Sequence, residues 1–450
     1  MNLNYIFLIQ GGLPMTFPEI VKTTLWDLID QMSLSLSSFV KNPDKDFTRR
    51  RKLDFQKIMH LIISMQSGCL DHELLKFFHF DTCVPTSSAF FQQRSKLSLS
   101  AFRHLLFHFN LKFPLKKFRR KYDLIACDGS EFNIARNPND KDTFHEPNGK
   151  SSSGFNMLHT VSLYELCSKR YLDLEVQPAR FKNEFQAICN LIDRYSYGGC
   201  PIFIADRGFS SYNVFAHAIE NKVDFMIRAK DLNVQRFLGI EELPDKLDTT
   251  VELILTRTQS KKKHKQPQKE SMYRYICKNV AFDYLNPEDC SDEYLLKLRI
   301  VRFEVADGIF ENIITTLSEE DFTLDDIKYC YRLRWGIETS FRDLKHTIGA
   351  THFHAKKTEY VAMELWSRLI LYNFCSIIIL HVPVKHMDRK HEYQVNFSLA
   401  MKICSDFLRG VAPPNIESLI SKYILPIRPK RNYARQHRVQ KPISFSYRFV

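Results

Sequence analysis

The segment PIFIAD, residues 201–206, is a short apolar run that ends in an aspartate and indicates a buried β-strand. Helix-like segments flank it, NEFQAICNLIDRYS at 183–196 on one side and SYNVFAHAIENK at 211–222 on the other. A further strand-like segment, DFMIRAK, follows at 224–230. Because strands and helices alternate here, this part of the chain is predicted to be an α/β fold with crossovers between its strands.

Three more strand-like segments precede that region. LIAC at 124–127 leads to Asp128-Gly129, and NMLHTVSLYEL at 156–166 and YLDLEVQPA at 171–179 are predicted to form an antiparallel meander with it. Two of the apolar strands are therefore predicted to end in an aspartate, at Asp128 and Asp206. Sheets of this kind hold ligands at the carboxyl ends of adjacent strands, so the two aspartates are predicted to meet.

The remaining sequence suggests how the chain is divided. Apolar residues recur every three or four positions between Trp26 and Asn110, which indicates helices, and alternating strand-like segments dominate after Asp231. We predict a helical DNA-binding domain at 1–120, a core at 121–230, a β-rich insertion with a mobile basic loop at 231–311, the rest of the core at 312–385, and a C-terminal helical and basic region at 386–450.

The N-terminal helices are predicted to contact DNA. A helix-turn-helix arrangement would project Gln92, Gln93 and Arg94 as side chains able to read base edges. Arg49, Arg50 and Lys52 lie in a basic run that suits phosphate contacts. A plain helical bundle would give the same apolar pattern and is the alternative.

The overall charge favours a polyanionic partner. Lys and Arg number 64 against 51 Asp and Glu, a net charge of +13. Several separate basic clusters favour a long ligand over a small anion, although a basic protein without such a partner is the alternative. Eleven cysteines without a C-x-x-C pair support neither zinc nor a disulfide framework.

The expected location is the cytoplasm, with no membrane association. The apolar run from Leu369 to Leu380 is shorter than the roughly 20 residues that cross a bilayer. The apolar segment near the N-terminus lacks the basic leader and the cleavage site of an export signal, and Met15 is an alternative start to Met1.

The stretch YCYRLRWGIETSFRDLKHT, residues 329–347, concentrates charge on one side of a predicted helix. At 3.6 residues per turn, Tyr331, Arg334, Glu338 and Lys345 fall within about 60° of one another. A carboxylate flanked by cations and a phenol on one narrow face suits a metal ion bound to a phosphate backbone. Nucleic-acid chemistry is therefore the first hypothesis.

Asp128, Asp206 and Glu338 together form a set of hard oxygen ligands, which suits Mg²⁺ or Mn²⁺ better than zinc. Two such ions about 3.5–4 Å apart can activate a water or a 3′-hydroxyl and stabilise the leaving oxygen of a phosphodiester. The predicted reaction class is phosphoryl transfer on nucleic acid.

Specific motifs give these residues a family resemblance. ACDGS, IADRGF and the spacing Tyr331-x2-Arg334-x3-Glu338-x6-Lys345 resemble the DDE transposases of bacterial insertion sequences that carry the YREK signature, the insertion-sequence-four family. Asp206-Arg207-Gly208-Phe209 matches the motif around the second acid of that family. The resemblance extends over roughly residues 46–357.

The resemblance implies a ribonuclease H-like core, a mixed sheet flanked by helices and interrupted by the β-rich insertion. It implies a catalytic, metal-binding triad of Asp128, Asp206 and Glu338 that holds two Mg²⁺ ions. Tyr331, Arg334 and Lys345 would hold backbone phosphates, and Arg207 is a further candidate for DNA contact. The implied activity is cut-and-paste transposition by a homodimer, bacterial and nucleoid-associated, acting on terminal inverted repeats and target DNA.

One expected feature is missing from the sequence. Relatives that form DNA hairpins are thought to stack a flipped base on a tryptophan in the insertion, and no tryptophan lies between Asp231 and Glu311. Tyr273, Tyr275 or Phe303 could substitute. The alternative functions are a catalytically inactive, domesticated DNA-binding protein and a stand-alone nuclease on the same core. Trp335 is expected to be structural.

Overall fold

The computed structural model describes residues 9–10, 13–148, 151–261, 264–286, 288–289, 291–384 and 391–428. Most of the apolar N-terminal segment and the end of the predicted basic region, beyond residue 428, lie outside the described residues. Predictions for those parts are not considered further.

The N-terminal region is helical, in agreement with its apolar periodicity. After a short pair of strands, β1 (Ile9–Gln10) and β2 (Leu13–Pro14), come α1 (Phe17–Ser33), α2 (Phe55–Ser64), α3 (Leu70–Phe77), α4 (Ser87–Arg94) and α5 (Leu99–Lys112). Side chains of Thr16, Asp54, Thr86 and Ser98 accept hydrogen bonds from the first turns of α1, α2, α4 and α5. Local sequence thus fixes where most of these helices begin.

The centre of the protein is a mixed sheet flanked by helices. Its first strands are β3 (Tyr122–Ile134), β4 (Phe144–His145), β5 (Phe155–Glu165), β6 (Arg170–Pro178), β7 (Cys200–Ala205) and β8 (Asp224–Ala229). Helix α6 (Glu184–Asp193) connects β6 to β7, and α7 (Tyr212–Glu220) connects β7 to β8. Strands β3, β5 and β6 are antiparallel, whereas β7 runs parallel to β3 and β8 parallel to β7. The predicted meander followed by crossovers is confirmed.

Strand β3 is longer than the sequence suggested. The prediction that it ends at Asp128 is wrong, because pairing with β5 continues to Ile134. Pairing with β7, by contrast, stops at Cys127 and Ala205. Asp128, which was predicted to end the strand, is therefore the point from which β3 pairs with β5 alone and no longer with β7.

The β-rich insertion extends the same sheet. It contains α8 (Asp231–Leu238), β9 (Leu247–Thr256), β10 (Tyr273–Tyr275), β11 (Glu293–Ala306) and β12 (Ile309–Thr315). The strand order is β10-β9-β11-β12-β8-β7-β3-β5-β4, with β6 also paired to β5. Because β12 pairs with β8, the inserted strands continue the core sheet on one side.

The loop between β9 and β10, which was predicted to be mobile and basic, is partly held in place by side-chain contacts. In its described part, the His264 ring stacks on Tyr273 with centroids 3.8 Å apart, and its Nδ1 lies 3.0 Å from a Glu270 carboxylate oxygen. The Tyr273 hydroxyl in turn donates a hydrogen bond of 2.8 Å to Glu293.

The C-terminal part is again mainly helical, and its longest helix is buried. It contains α9 (Leu324–Leu333), α10 (Trp335–Arg342), a π-helical turn (Asp343–Thr347), α11 (Thr358–Ile379), α12 (Phe397–Leu408) and α13 (Ile416–Ile420), with a small strand pair, β13 (Tyr393–Val395) and β14 (Ile424–Pro426). By length and composition alone, α11 could span a membrane, but its apolar window is wholly buried within the protein.

One hydrophobic core joins the N-terminal helices to α11 and α12, so the helical region shares its core with the C-terminal part. A buried ion pair crosses this contact, with Arg94 Nη1 3.1 Å from Glu364 Oε1. The Glu364 carboxylate also accepts a 2.7 Å hydrogen bond from the backbone N–H of His354.

Candidate functional site

Two adjacent parallel strands bring the predicted aspartates together. Cys127 on β3 pairs with Ala205 on β7, and the next residue along each strand is Asp128 or Asp206. Ile125 and Cys127 pack in the cluster with α6 and α7, whereas Leu124 and Ile204 pack with α9 on the other face. Because side chains alternate along a strand, both aspartates face the α9–α10 side. Cys127 is a buried core residue.

Glu338 reaches the same place from α10. The pKa of Asp128 is raised to about 6, first because the carboxyl is buried and also because Glu338 and Asp206 are close enough to repel its charge. Two effects oppose this rise: a 2.8 Å hydrogen bond from the Gly129 backbone N–H and the nearby charge of Arg334. The three predicted acids are therefore close enough for the charges of Glu338 and Asp206 to act on Asp128.

Tyr331 and Arg334 contact the acids directly. The Tyr331 hydroxyl donates a 3.4 Å hydrogen bond to Asp206, and Arg334 Nη1 donates one of 3.0 Å to Glu338 Oε1. Both residues are 5% exposed. In this arrangement they stabilise the acids, and burial together with the neighbouring acids raises the pKa of the Tyr331 phenol.

Lys345 lies further along β3. Its ammonium donates a 2.8 Å hydrogen bond to the backbone carbonyl of Glu131 and lies 4.8 Å from the centre of the Phe132 ring. Burial lowers its pKa. The predicted single helical face is thus divided, with Tyr331 and Arg334 at the acids and Lys345 on the continuation of β3.

The signature helix is not uniform, which explains this division. Arg334 joins α9 to α10 through i→i+3 hydrogen bonds, from its own N–H to Tyr331 and from the Ile337 N–H to its carbonyl. The π-helical turn Asp343–Thr347 then widens the helix just where Lys345 lies. A constant 3.6 residues per turn therefore does not describe residues 329–347.

Arg228 belongs to the site but was not predicted. Its Nη1 lies 3.9 Å from Asp206 Oδ1 and 3.3 Å from Glu311 Oε1. The pairing of β7 with β8 shows why it lies there, because Ile227 pairs with Ala205 and the next residues along the chain are Arg228 and Asp206. A predicted residue-by-residue alignment of these two parallel strands would have placed Arg228 beside Asp206.

A groove of about 490 Å³ opens beside these residues, lined among others by Arg228, Tyr331, Arg334 and Trp335. Trp335 is 55% exposed, and its ring centre lies 5.2 Å from the Arg334 guanidinium. Trp335 is therefore not a core residue, and its structural role stays a prediction that its contact with Arg334 is compatible with. Of the aromatic residues proposed to stack a base, Phe303 is buried and Tyr273 is stacked on His264, whereas Tyr275 is exposed.

The donor chemistry fits a hard divalent cation, but the ligand set is not assembled. Within the described ranges, no group of three or more His, Cys, Asp or Glu side chains is arranged to hold a metal ion. Arg334 is bonded to Glu338, and Asp206 is approached by Tyr331 and Arg228. The carboxylates are of the right type for Mg²⁺ and are held by protein groups instead.

The other residues predicted to contact DNA differ in how exposed their side chains are. Arg49, Arg50, Lys52, Gln92 and Arg207 have exposed side chains, although Lys52 donates a 2.7 Å hydrogen bond to the Cys83 carbonyl. Gln93 is half-buried and accepts a 3.0 Å hydrogen bond from Lys96. The exposed residues remain candidates for DNA contact.

Arg94 does not agree with the prediction that it reads base edges. It is 3% exposed, because its guanidinium is directed inward to Glu364 on α11. The sequence around α4 gives no indication of this partner, because Glu364 lies 270 residues later in the chain.

Comparison with known proteins is informative for the central part of the chain. A family profile described as "Transposase DDE domain" matches residues 119–374, more than half of the sequence. No curated protein matches. Among solved structures, a cryo-EM structure of a piggyBac transposase synaptic complex with hairpin DNA is similar, at 12% identity and a TM-score of 0.42, over 92% of this chain and 87% of that chain.

Proposed function

This chain belongs to the family of transposase DDE domains, and we propose that it catalyses cut-and-paste movement of an insertion sequence of the YREK-signature family. The proposed substrate is double-stranded DNA, both the terminal inverted repeats and the target, bound by a homodimer in the bacterial cytoplasm. The observation that carries the proposal is the meeting of Asp128, Asp206 and Glu338 from three separate elements.

The proposed core is ribonuclease H-like. Its support is the order of strands β3, β5 and β6, an antiparallel meander, followed by β7 and β8, which are parallel to β3 and joined through α6 and α7. The two catalytic aspartates in this proposal lie on the central strand β3 and directly after its parallel neighbour β7.

DDE transposases generally use divalent metals, and Asp128, Asp206 and Glu338 would hold two Mg²⁺ ions, or Mn²⁺ in their place. The ions would lower the pKa of the attacking water or 3′-hydroxyl and stabilise the leaving oxygen. Hydrolysis would free a 3′-hydroxyl at each end of the element, and a second transfer would join that end to target DNA. If a DNA hairpin forms on the way, Tyr275 is the exposed aromatic among those named for stacking a flipped base.

The cations of the site would bind the DNA backbone. Arg334 Nε is buried and has no hydrogen-bond partner among the described residues, so the guanidinium retains an unused donor. Arg207 is exposed next to Asp206, and Lys345 lies beside β3 where that strand continues past Asp128. Arg334 lies at the acids, Arg207 is adjacent in sequence and Lys345 lies further along β3, and all three match the charge of phosphate oxygens.

The test is end cleavage of a DNA fragment that carries the ends of the element, in the presence of Mg²⁺. We expect the wild-type protein to cut, Asp128→Asn and Glu338→Gln to fall to the level of a reaction without protein, and Glu252→Gln, which changes an exposed carboxylate on β9, to retain activity. The proposal is overturned if the wild-type protein cuts no better than Asp128→Asn. Nicked DNA without strand-joined products would identify a stand-alone nuclease, and specific DNA binding without cleavage would identify an inactive binding protein.

A further inference from the structure

Each acid of the site already has a protein partner. Glu338 is bonded to Arg334, Asp206 is close to Tyr331 and Arg228, and Asp128 accepts from the Gly129 backbone. A divalent cation needs the same carboxylate oxygens, so it has to compete with these donors. Arg334 is the strongest competitor, since it carries a full charge at 3.0 Å from Glu338 Oε1.

The ion pair between Arg334 and Glu338 is asymmetric in burial. The Arg334 side chain is 6% exposed, whereas the Glu338 side chain is 37% exposed. An i,i+4 pair on a helix surface is normally a weak contact between two hydrated groups. Here the cation is kept out of water, and within the described part of the chain its Nε has no hydrogen-bond partner, so a phosphate in the groove would accept from a donor that is already desolvated.

The surroundings give the guanidinium somewhere to move. Its centre lies 5.7 Å from the Tyr331 ring centre and 5.2 Å from that of Trp335, and the groove of about 490 Å³ lies on the same side. A phosphate in that groove could accept from the planar fork of the arginine with two parallel hydrogen bonds. The Glu338 carboxylate would then be free.

We propose that Arg334 is a latch on Glu338 that DNA releases. Without DNA, Arg334 occupies Glu338 and the metal site is incomplete; with DNA, a backbone phosphate takes over Arg334 and Glu338 becomes available as a ligand. The proposal rests on the proposed function and deepens it, because it makes divalent-metal affinity depend on bound DNA. By linkage, metal would strengthen DNA binding by the same factor.

The test measures Mn²⁺ binding directly, from the loss of the aqueous Mn²⁺ signal in electron paramagnetic resonance, using the full chain with and without a short duplex of mixed sequence. For the wild-type protein we expect the duplex to tighten Mn²⁺ binding by about tenfold, within the range typical of coupled sites. For Arg334→Gln we expect tighter Mn²⁺ binding without DNA and most of the gain on adding DNA to disappear.

The matched control is Arg228→Gln, which removes the same charge near Asp206. It should also tighten Mn²⁺ binding, because a like charge is lost, but it should keep the gain on adding DNA. Arg334→Lys, which retains a cation on the same backbone position, should restore most of that gain and serves if Arg334→Gln fails to fold.

The outcomes separate the two proposals. If DNA leaves the Mn²⁺ affinity of the wild-type protein unchanged, or if the DNA-induced gain in Arg334→Gln equals that of the wild-type protein, the latch is wrong. If Asp128→Asn binds Mn²⁺ as tightly as the wild-type protein in the presence of DNA, the acids do not hold the metal and the proposed function itself fails.

Discussion

Two arginine–glutamate pairs of nearly equal length serve this protein differently. Arg94 and Glu364 lie 3.1 Å apart with side chains 4% and 2% exposed, and they join α4 to α11. Arg334 and Glu338 lie 3.0 Å apart with side chains 6% and 37% exposed, beside Asp128 and Asp206. The chemistry of the two pairs is the same, and the access of water and ligand to the carboxylate differs.

That difference decides what each pair can do. The fully buried pair is closed to water, so removing Arg94 leaves the Glu364 carboxylate inside the protein with its hydrogen bond from His354 but without the charge of the arginine. In the pair at the site the Glu338 carboxylate is in contact with solvent, so a metal ion could take the place of Arg334 there and a phosphate could take the place of Glu338 at the guanidinium. Exposure of one carboxylate thus separates a pair that holds the fold from one that could exchange partners.

The largest expected effect is on the buried pair. Arg94→Met should lower the free energy of unfolding by about 3–5 kcal/mol, because Glu364 would remain buried without its cation. In the double variant Arg94→Met with Glu364→Leu, much of this loss should be recovered. Arg334→Met, the same change at the site, should alter stability by about 1 kcal/mol or less. Denaturant unfolding measures all of these, and equal losses for the two single variants would remove the distinction between the pairs.

The second effect concerns the cost of charge at the open site. The pKa of Asp128 is raised to about 6, so ionising this residue destabilises the folded protein above that pH. Asp128→Asn should therefore raise the free energy of unfolding by about 1–2 kcal/mol at pH 7, with the gain disappearing as the pH falls from 6 to 4 and the wild-type carboxyl becomes protonated. Thermal unfolding in the absence of metal over this pH range measures it, and a gain that does not depend on pH would contradict the assignment.

A third ionic contact tests the comparison of the two pairs with carboxylates that are more exposed than Glu338. His217 lies between Asp193 and Asp283, at 2.7 and 2.9 Å, and so connects α6 and α7 to the inserted region. Burial alone would lower the pKa of His217, but hydrogen bonds and charge from both carboxylates raise it.

The protonated imidazole should stabilise the fold below the ordinary histidine pKa, and this contribution should be lost as the pH rises through the raised value. His217→Gln should cost about 1 kcal/mol at pH 6 and less at pH 9. Unfolding at the two pH values measures this, and a cost that grows with pH would show that the neutral ring is the stabilising form.

The smallest effect is on DNA binding. If Arg334 transfers to a phosphate, Arg334→Gln should reduce the slope of log K against log salt by about 0.9, the contribution of one phosphate contact. Lys345→Gln should reduce the slope less, because its ammonium is bonded to the Glu131 carbonyl. Fluorescence anisotropy at several salt concentrations measures both slopes, and equal reductions would place Lys345 on the DNA as well.

The sequence predicted the parts of the site that depend on strand order. Asp128 and Asp206 each follow an apolar segment, and parallel pairing of the two segments places such residues side by side, so their approach could be inferred without coordinates although β3 continues past Asp128. The contribution of Glu338 followed from a motif. The α/β order and the helical N-terminal region were recovered for the same reason, since apolar periodicity is local.

What the sequence missed depends on distant or irregular contacts. The inward direction of Arg94 is set by Glu364, which lies on a helix that local patterns cannot place against α4. The division of the signature helix arises from tight hydrogen bonding at Arg334 and a π-helical turn at Asp343–Thr347, which a constant period cannot represent. Arg228 was within reach, but only through a residue-by-residue register of β7 and β8.

The unequal pairing of β3 has a consequence for solubility. Beyond Cys127 this strand keeps β5 on one side and has lost β7 on the other, so residues 128–134 form an edge inside a larger sheet. Exposed strand edges can recruit strands from other molecules and lead to aggregation. Lys345 donates to the Glu131 carbonyl in this stretch and places a charge there. Lys345 thus occupies one acceptor of this edge and places a charge where a strand from another molecule would have to pair.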